Sequence, residues 1–181
     1  MIHVGRGVWV GDLADFEELD PFGAGKADNA AGAVSDWMVL HAAKEPFHRE
    51  FVGYVERGAP KQSPEYLFAR RGPRLALNFI DPPNASFIHD VMMNTAYDFI
   101  DEGVAAGRPV LVHCNKGESR APGLVFLHMA RPGGRFEGVR LSQALKEFCA
   151  IYPNFIPGPG VHEYITNNWP RSRAALPDAA S

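Results

Sequence analysis

Apolar runs and helical repeats alternate along the second half of this sequence. The run LALNFI at 75–80 predicts a buried strand that ends at the paired prolines of 81–84. Apolar residues then recur at helical spacing over 92–104, and Gly107 marks the predicted helix end. PVLVH at 109–113 is a compact apolar run with proline at its first position, which predicts a second buried strand.

Further elements follow from the same patterns. Proline at 122 suits the first turn of a helix that runs to about residue 130, and LSQALKEFCAIY at 141–152 predicts an amphipathic helix. On that helix we expect Leu141, Leu145, Phe148 and Cys149 to share the apolar side. The first half gives weaker signals, namely a strand or hairpin at 2–10, a loop or weak helix at 23–33, a buried strand at 37–43 and an irregular connection at 57–66.

The order strand, helix, strand, loop, helix predicts an α/β fold with a mainly parallel twisted sheet flanked by helices. Because parallel strands end at the same edge of a sheet, the loops that begin at Asp81 and Cys114 should lie side by side. The chain of 181 residues suits a single domain, which we place at 1–169, followed by a flexible C-terminal tail at 170–181.

Composition narrows the class of protein. The net charge of -3 gives no general attraction for nucleic acid or anionic lipid, so we expect neither as a partner. No run of apolar residues is long enough to predict a membrane span or a leader peptide. Two cysteines, with no sign of secretion, predict free thiols in the cytoplasm.

The stretch HCNKGESR at 113–120 carries the candidate chemistry. A structural zinc site usually needs about four nitrogen or sulfur ligands, but His113 and Cys114 are neighbours whose side chains point opposite ways in a strand. A dithiol redox centre would need a CxxC pair, which is missing. A buried core cysteine explains Cys114 but not the glycine and arginine that follow it.

A nucleophile beside an anion site explains the whole stretch. The backbone after Cys114 can curl so that its N–H groups surround an oxyanion, and Gly117 permits the left-handed conformation that such a curl requires. The following helix adds the positive end of its dipole, which favours the thiolate. Arg120 can donate two parallel hydrogen bonds to two oxygens of a tetrahedral anion. The stretch therefore predicts a loop that binds phosphate and attacks it.

HCNKGESR resembles the H-C-x5-R signature of the cysteine-based protein tyrosine phosphatases, and VLVHCNKGESR is most similar to their small dual-specificity branch. The resemblance covers roughly residues 2–168 and includes VWVGDLADFEEL, WMVLHAA, NFIDPPN and YDFIDEG. It implies a catalytic domain that hydrolyses phosphomonoesters, most directly phosphotyrosine in proteins, without a metal or cofactor. Phosphate, sulfate and vanadate are the expected ligands.

The resemblance also implies a role for each site residue. Cys114 attacks phosphorus, Arg120 binds the equatorial oxygens, and Asp81 protonates the leaving group. His113 orders the loop and tunes the thiolate. The implied phosphate-binding residues are Asn115, Lys116, Gly117, Glu118, Ser119 and Arg120. We expect Lys116 and Glu118 to point outward.

Three alternatives stay open. Asp90 is a rival acid, although its place at a helix start favours capping. Ala121 stands where the family usually has serine or threonine, whose hydroxyl stabilises the departing thiolate. The absence of that hydroxyl favours a second hypothesis, a phosphate-binding or substrate-trapping protein with little turnover. A phosphoinositide or RNA 5′-phosphatase is a third, since one scaffold hosts several substrates.

Overall fold

The computed structural model describes residues 1–19 and 36–170. The predicted loop at 23–33 lies outside the described residues, and so does the predicted tail apart from its first residue.

Within these described residues, six strands form one sheet in the order β1-β2-β6-β3-β5-β4. The four inner strands are parallel, and antiparallel hairpins add an outer strand at each edge. The strands are β1 Ile2–Gly5, β2 Val8–Gly11, β3 Met38–His41, β4 Phe68–Arg71, β5 Arg74–Leu77 and β6 Val110–His113. The predicted α/β fold class with a mainly parallel sheet is confirmed.

Helices cover both faces of the sheet. They are α1 Leu13–Leu19, α2 Arg49–Val52, α3 Asp90–Ala105, α4 Arg120–His128, α5 Leu141–Ile151 and α6 Pro159–Asn168. Short helical turns at Lys44–His48 and Ala85–Phe87 precede α2 and α3.

Each central strand alternates its side chains between two cores. Val110 and Val112 of β6 enter a large core that includes residues from α3 to α6, whereas Leu111 enters a smaller core with Phe16 and Phe47. Cys114 packs in the large core, while the ring of His113 stacks on Phe16 in the smaller one. These neighbours thus face opposite sides of the sheet, as strand geometry requires.

The structure corrects the sequence-based assignment at three places. FARR, which the patterns left unassigned, forms β4 in a hairpin with β5, and α6 was missed entirely. Cys149 was predicted to lie on the buried side of α5, but it is exposed. Helix α5 buries Ala144 and Phe148 instead, since Phe148 packs against Phe126 at a ring distance of 5.1 Å and thereby sets the rotation of the helix.

Candidate active site

The candidate site is the loop that connects β6 to α4. Cys114 follows directly on β6, at the centre of the sheet, and its side chain is 2% exposed. Arg120 is the first residue of α4, so the positive end of that helix faces the loop. Of the residues between them, Asn115, Lys116 and Glu118 are exposed, whereas Gly117 and Ser119 are buried.

Two carbonyl groups of this loop, those of Gly117 and Glu118, point away from its interior. The carbonyl of Gly117 accepts a hydrogen bond from the Tyr152 hydroxyl at 2.8 Å, and that of Glu118 accepts one from the Ile156 N–H at 2.8 Å. In a trans peptide the N–H points opposite to the C=O. The N–H groups of Glu118 and Ser119 therefore point the other way, as an oxyanion nest requires.

Two features of the loop restrict position 117 to glycine. Its φ is +67°, in the left-handed region that side chains resist. A Cβ there would also lie 3.0 Å from the Tyr152 hydroxyl and 3.1 Å from the Gly11 carbonyl. Burial, together with the nearby Cys114 sulfur, raises the pKa of Tyr152, so its hydroxyl stays a donor.

The Arg120 guanidinium is held at the rim of the loop by two acceptors. One terminal nitrogen donates to the Phe79 carbonyl at 3.0 Å, and the other donates to Oδ1 of Asn115 at 3.0 Å. Asn115 in turn donates to the Glu45 carbonyl at 3.1 Å. The segments after β3 and β5 thus fix the orientation of the guanidinium plane. A fixed orientation is what two parallel hydrogen bonds to an anion require.

Asp81 lies beside the Cys114 loop in the folded protein. Its Oδ1 accepts a hydrogen bond from the Ser119 hydroxyl at 3.2 Å, and that hydroxyl accepts one from the Gly158 N–H at 2.9 Å. Ser119 has a single O–H group, and this group donates its hydrogen bond to Asp81. Ser119 cannot at the same time donate to the Cys114 sulfur, so in this arrangement it does not replace the hydroxyl absent at Ala121.

The first turn of α6 and the residue before it hold the Asp81 loop in place. The N–H of Gly160 donates to the Pro82 carbonyl at 3.1 Å. A Cβ at 158 would lie 2.9 Å from Oδ1 of Asp81, and one at 160 would lie 2.6 Å from the Pro82 carbonyl. Sequence reasoning missed this close contact between residues 158–160 and the Asp81 loop. Its signal is the pair of glycines in PGPG, where only a bare backbone allows so close an approach.

Asp90 occupies a different environment. Helix α3 begins at Asp90, but its N-cap is His89, so Asp90 is not the capping residue that we predicted. Its Oδ1 accepts a hydrogen bond from the Tyr164 hydroxyl at 2.7 Å. The two carboxylates are therefore distinguished by their partners, and Asp81 is the one bonded to the Cys114 loop.

A buried pair of histidines lies beneath the loop. His41 and His113 are directly opposite each other on β3 and β6, and both are fully buried. Nδ1 of His41 lies 2.6 Å from Nε2 of His113, and Nε of Arg74 donates to Nε2 of His41 at 3.0 Å. Sequence reasoning identified His113 but not His41 or Arg74. The available signal was a histidine that ends an apolar strand.

Both histidines are neutral in the folded protein. Burial and the positive charge of Arg74 lower the pKa of His113 to about 3. Burial, and then His113 and Arg74, lower the pKa of His41 well below its usual range. Aromatic rings complete the surroundings, with Phe16 stacked on His113 at 4.8 Å and Phe47 stacked on His41 at 4.0 Å.

This burial predicts a loss of stability in mild acid. Below the unfolded pKa, near 6.5, the unfolded chain takes up protons that the folded protein does not, so the free energy of unfolding falls as the pH falls. Each buried histidine should cost about 2 kcal/mol between pH 7 and pH 5, before carboxylates titrate. Urea unfolding at the two pH values measures this, and His41→Asn should remove about 2 kcal/mol of the difference. An unchanged pH dependence in that variant would contradict the assignment.

Within residues 1–19 and 36–170, no cluster of three or more histidine, cysteine or carboxylate side chains could hold a metal ion. In the same residues, no helix is long and apolar enough to cross a membrane.

No family model and no curated protein sequence matches this chain. Solved structures do match. Human DUSP28 is 16% identical, with 92% of this chain and 90% of that chain aligned and a TM-score of 0.55. The chain has the dual-specificity phosphatase fold. The resemblance inferred from HCNKGESR is thus confirmed at the level of the fold.

Two further structures share this fold. A mouse protein described as a dual-specificity phosphatase, in complex with zinc tungstate, is 16% identical over 92% of this chain and 84% of that chain, with a TM-score of 0.54. The human tyrosine phosphatase-like serine/threonine/tyrosine-interacting protein is 17% identical over 92% of this chain and 94% of that chain, with a TM-score of 0.52.

Proposed function

We propose that this protein is a phosphatase that hydrolyses phosphomonoesters through a phosphocysteine, with phosphotyrosine in proteins as the first substrate class. The hydrogen bond between Ser119 and Asp81 carries the proposal, because it joins a carboxylate to the loop of a buried cysteine and an arginine. A nucleophile, an anion site and an acid then lie together. The tungstate complex of the mouse protein supports an oxyanion site in this fold.

In the first step the Cys114 thiolate attacks phosphorus. The P–S bond forms as the P–O bond breaks, and protonated Asp81 gives its proton to the departing oxygen. Arg120 and the inward N–H groups stabilise the charge on the three equatorial oxygens.

In the second step water attacks the phosphocysteine. The Asp81 carboxylate now takes the proton from water, the P–S bond breaks, and Cys114 leaves as a thiolate. Phosphate is released and Asp81 is protonated again for the next cycle.

A second candidate function rests on Ala121. This residue is fully buried in the first turn of α4, where it offers no hydroxyl to the departing sulfur, and the Ser119 hydroxyl is committed to Asp81. If the thiolate leaves slowly, the protein binds phosphoproteins but turns over little. The human tyrosine phosphatase-like protein shows that the same fold occurs in a protein named for its interactions.

Rapid mixing with an activated aryl phosphate tests both functions. We expect a burst of phenol near one equivalent and then steady release well beyond one equivalent. Ala121→Ser should raise the steady rate by about tenfold to hundredfold, since a hydrogen bond to a charged group contributes about 1.5–3 kcal/mol. Ala96→Ser, which places a hydroxyl at another fully buried alanine, is the matched control.

The outcomes separate the two candidates. Release that stops at one equivalent would refute turnover and favour the binding protein. Steady release without a burst, unchanged in Ala121→Ser, would mean that the missing hydroxyl does not limit the rate. A panel of phosphotyrosine, phosphoserine and phosphothreonine peptides, inositides and RNA 5′ ends then defines the substrate class.

A further inference from the structure

A chain of hydrogen bonds leads from the surface of the smaller core to the residue that precedes the nucleophile. It consists of Arg74, His41 and His113, which we call the histidine relay. The side chain of Arg74 packs over Phe16 at 4.9 Å and donates to His41 at 3.0 Å, and His41 lies 2.6 Å from His113. The three residues come from adjacent strands β5, β3 and β6.

The donors and acceptors of the histidine relay follow from its first member. A guanidinium can only donate, so Nε2 of His41 must be the acceptor. A neutral imidazole has one N–H, and for His41 this must then be Nδ1–H, which donates to Nε2 of His113. By the same rule His113 carries its proton on Nδ1.

The third N–H belongs to His113, the residue directly before the nucleophile. Nδ1 of His113 makes no hydrogen bond of normal geometry within residues 1–19 and 36–170. Interaction with the Cys114 backbone raises the pKa of His113 against the larger effect of burial. The N–H groups of Arg74 and His41 direct their positive ends along the histidine relay toward His113, the residue before Cys114, with the charge of Arg74 behind them.

We propose that His41 and Arg74 are positioning residues that fix the tautomer of His113 and thereby favour the thiolate of Cys114. The inference deepens the proposed function and rests on it. With the other tautomer, Nδ1 of His113 would carry a lone pair in place of its N–H, and the alignment of the dipoles would be lost. The low dielectric of the buried aromatic surroundings strengthens the effect.

Other charged and titratable groups also surround Cys114, and the test leaves them unchanged. They lie in the turn after β2, in the first turn of α1, in the segments after β3 and β5, in the Cys114 loop, at the start of α4 and after α5: Asp12, Asp15, Lys44, Glu45, Asp81, Lys116, Glu118, Arg120 and Tyr152.

The measurement is the rate at which iodoacetate alkylates Cys114 as a function of pH, followed by peptide mass spectrometry. His41→Leu removes both hydrogen bonds of His41, and Arg74→Met removes the charge but keeps an apolar contact with Phe16. Both should move the midpoint of labelling upward by about one pH unit, the low end for a nearby charge. Labelling below the midpoint should slow about tenfold.

Two further variants separate positioning from simple loss of structure. His41→Asn keeps a donor near the position of Nδ1, so its midpoint should lie between those of the wild type and His41→Leu. His48→Asn is the matched control, because His48 is also fully buried but bonds to Tyr54 and Glu65 outside the histidine relay. Its midpoint should equal that of the wild type.

Wild-type midpoints in both Arg74→Met and His41→Asn would overturn the proposal, even if His41→Leu fails to fold. An equal shift in His48→Asn would overturn it as well. Because alkylation needs no turnover, failure of this inference can be distinguished from failure of the proposed function. A wild type that releases no phosphate, but whose labelling midpoint still moves in the His41 variants, would refute the phosphatase and keep the histidine relay.

Discussion

Replacing Cys114 with serine should lower phosphate release by more than roughly 10⁴-fold, the scale on which covalent catalysis fails when its nucleophile is removed. A serine hydroxyl has nearly the same shape but is not ionised near neutral pH, so no anion attacks phosphorus. The anion site formed by Arg120 and the backbone remains. Vanadate should therefore still bind, and thermal unfolding should occur close to the wild-type temperature.

Cys149→Ser is the matched control for this variant. Cys149 is exposed, whereas Cys114 is buried at the foot of its loop. Accessibility alone would make Cys149 the more reactive thiol toward iodoacetate at neutral pH. We expect the reverse, with phosphate or vanadate protecting Cys114 only. Faster labelling of Cys149 without protection, or an active Cys114→Ser, would rule out Cys114 as the nucleophile.

Replacing Asp81 with asparagine should lower kcat by roughly 10² to 10⁴ for phosphotyrosine, whose leaving oxygen needs a proton. The loss should shrink for an activated aryl phosphate, because its phenolate departs without one. The asparagine amide has the shape of the carboxylic acid, and its oxygen can still accept the hydrogen bond from the Ser119 hydroxyl. The variant therefore changes proton transfer alone. Initial rates with the two substrates measure the effect.

Asp90→Asn is the control for the choice of carboxylate, since Asp90 bonds to Tyr164 and not to the Cys114 loop. If this variant shows the dependence on leaving group and Asp81→Asn does not, the general acid is wrongly assigned.

Ser119→Ala should show the same dependence on the leaving group as Asp81→Asn, but with a smaller loss of rate. One neutral hydrogen bond contributes about 0.5–1.5 kcal/mol, which corresponds to about twofold to tenfold in rate.

The inner part of the fold could be predicted from sequence because its signals are local and strong. LALNFI and PVLVH are apolar on both sides since β5 and β6 are covered on both faces, and the repeat between them forms α3. Edge strand β4 escaped prediction because FARR buries only Ala69 fully, which leaves no alternation to recognise. Helix α6 escaped because two glycines and a proline precede or open it.

The sequence by itself determined which residues form the candidate site. Cys114, Gly117 and Arg120 are close in sequence and belong to one loop. The rule that parallel strands end at the same edge of a sheet was sufficient to predict that Asp81 lies beside this loop. The folded structure keeps those residues together through Ser119.

Only the tertiary structure decided which residues support that chemistry. His41 and Arg74 come near His113 because β3 and β5 pair in one particular register, in which His41 lies opposite both His113 and Ala76. Gly158 meets Asp81 because α6 packs beside the Asp81 loop. Such partners are far apart in sequence and meet through close packing, which no local pattern of apolar and polar residues encodes.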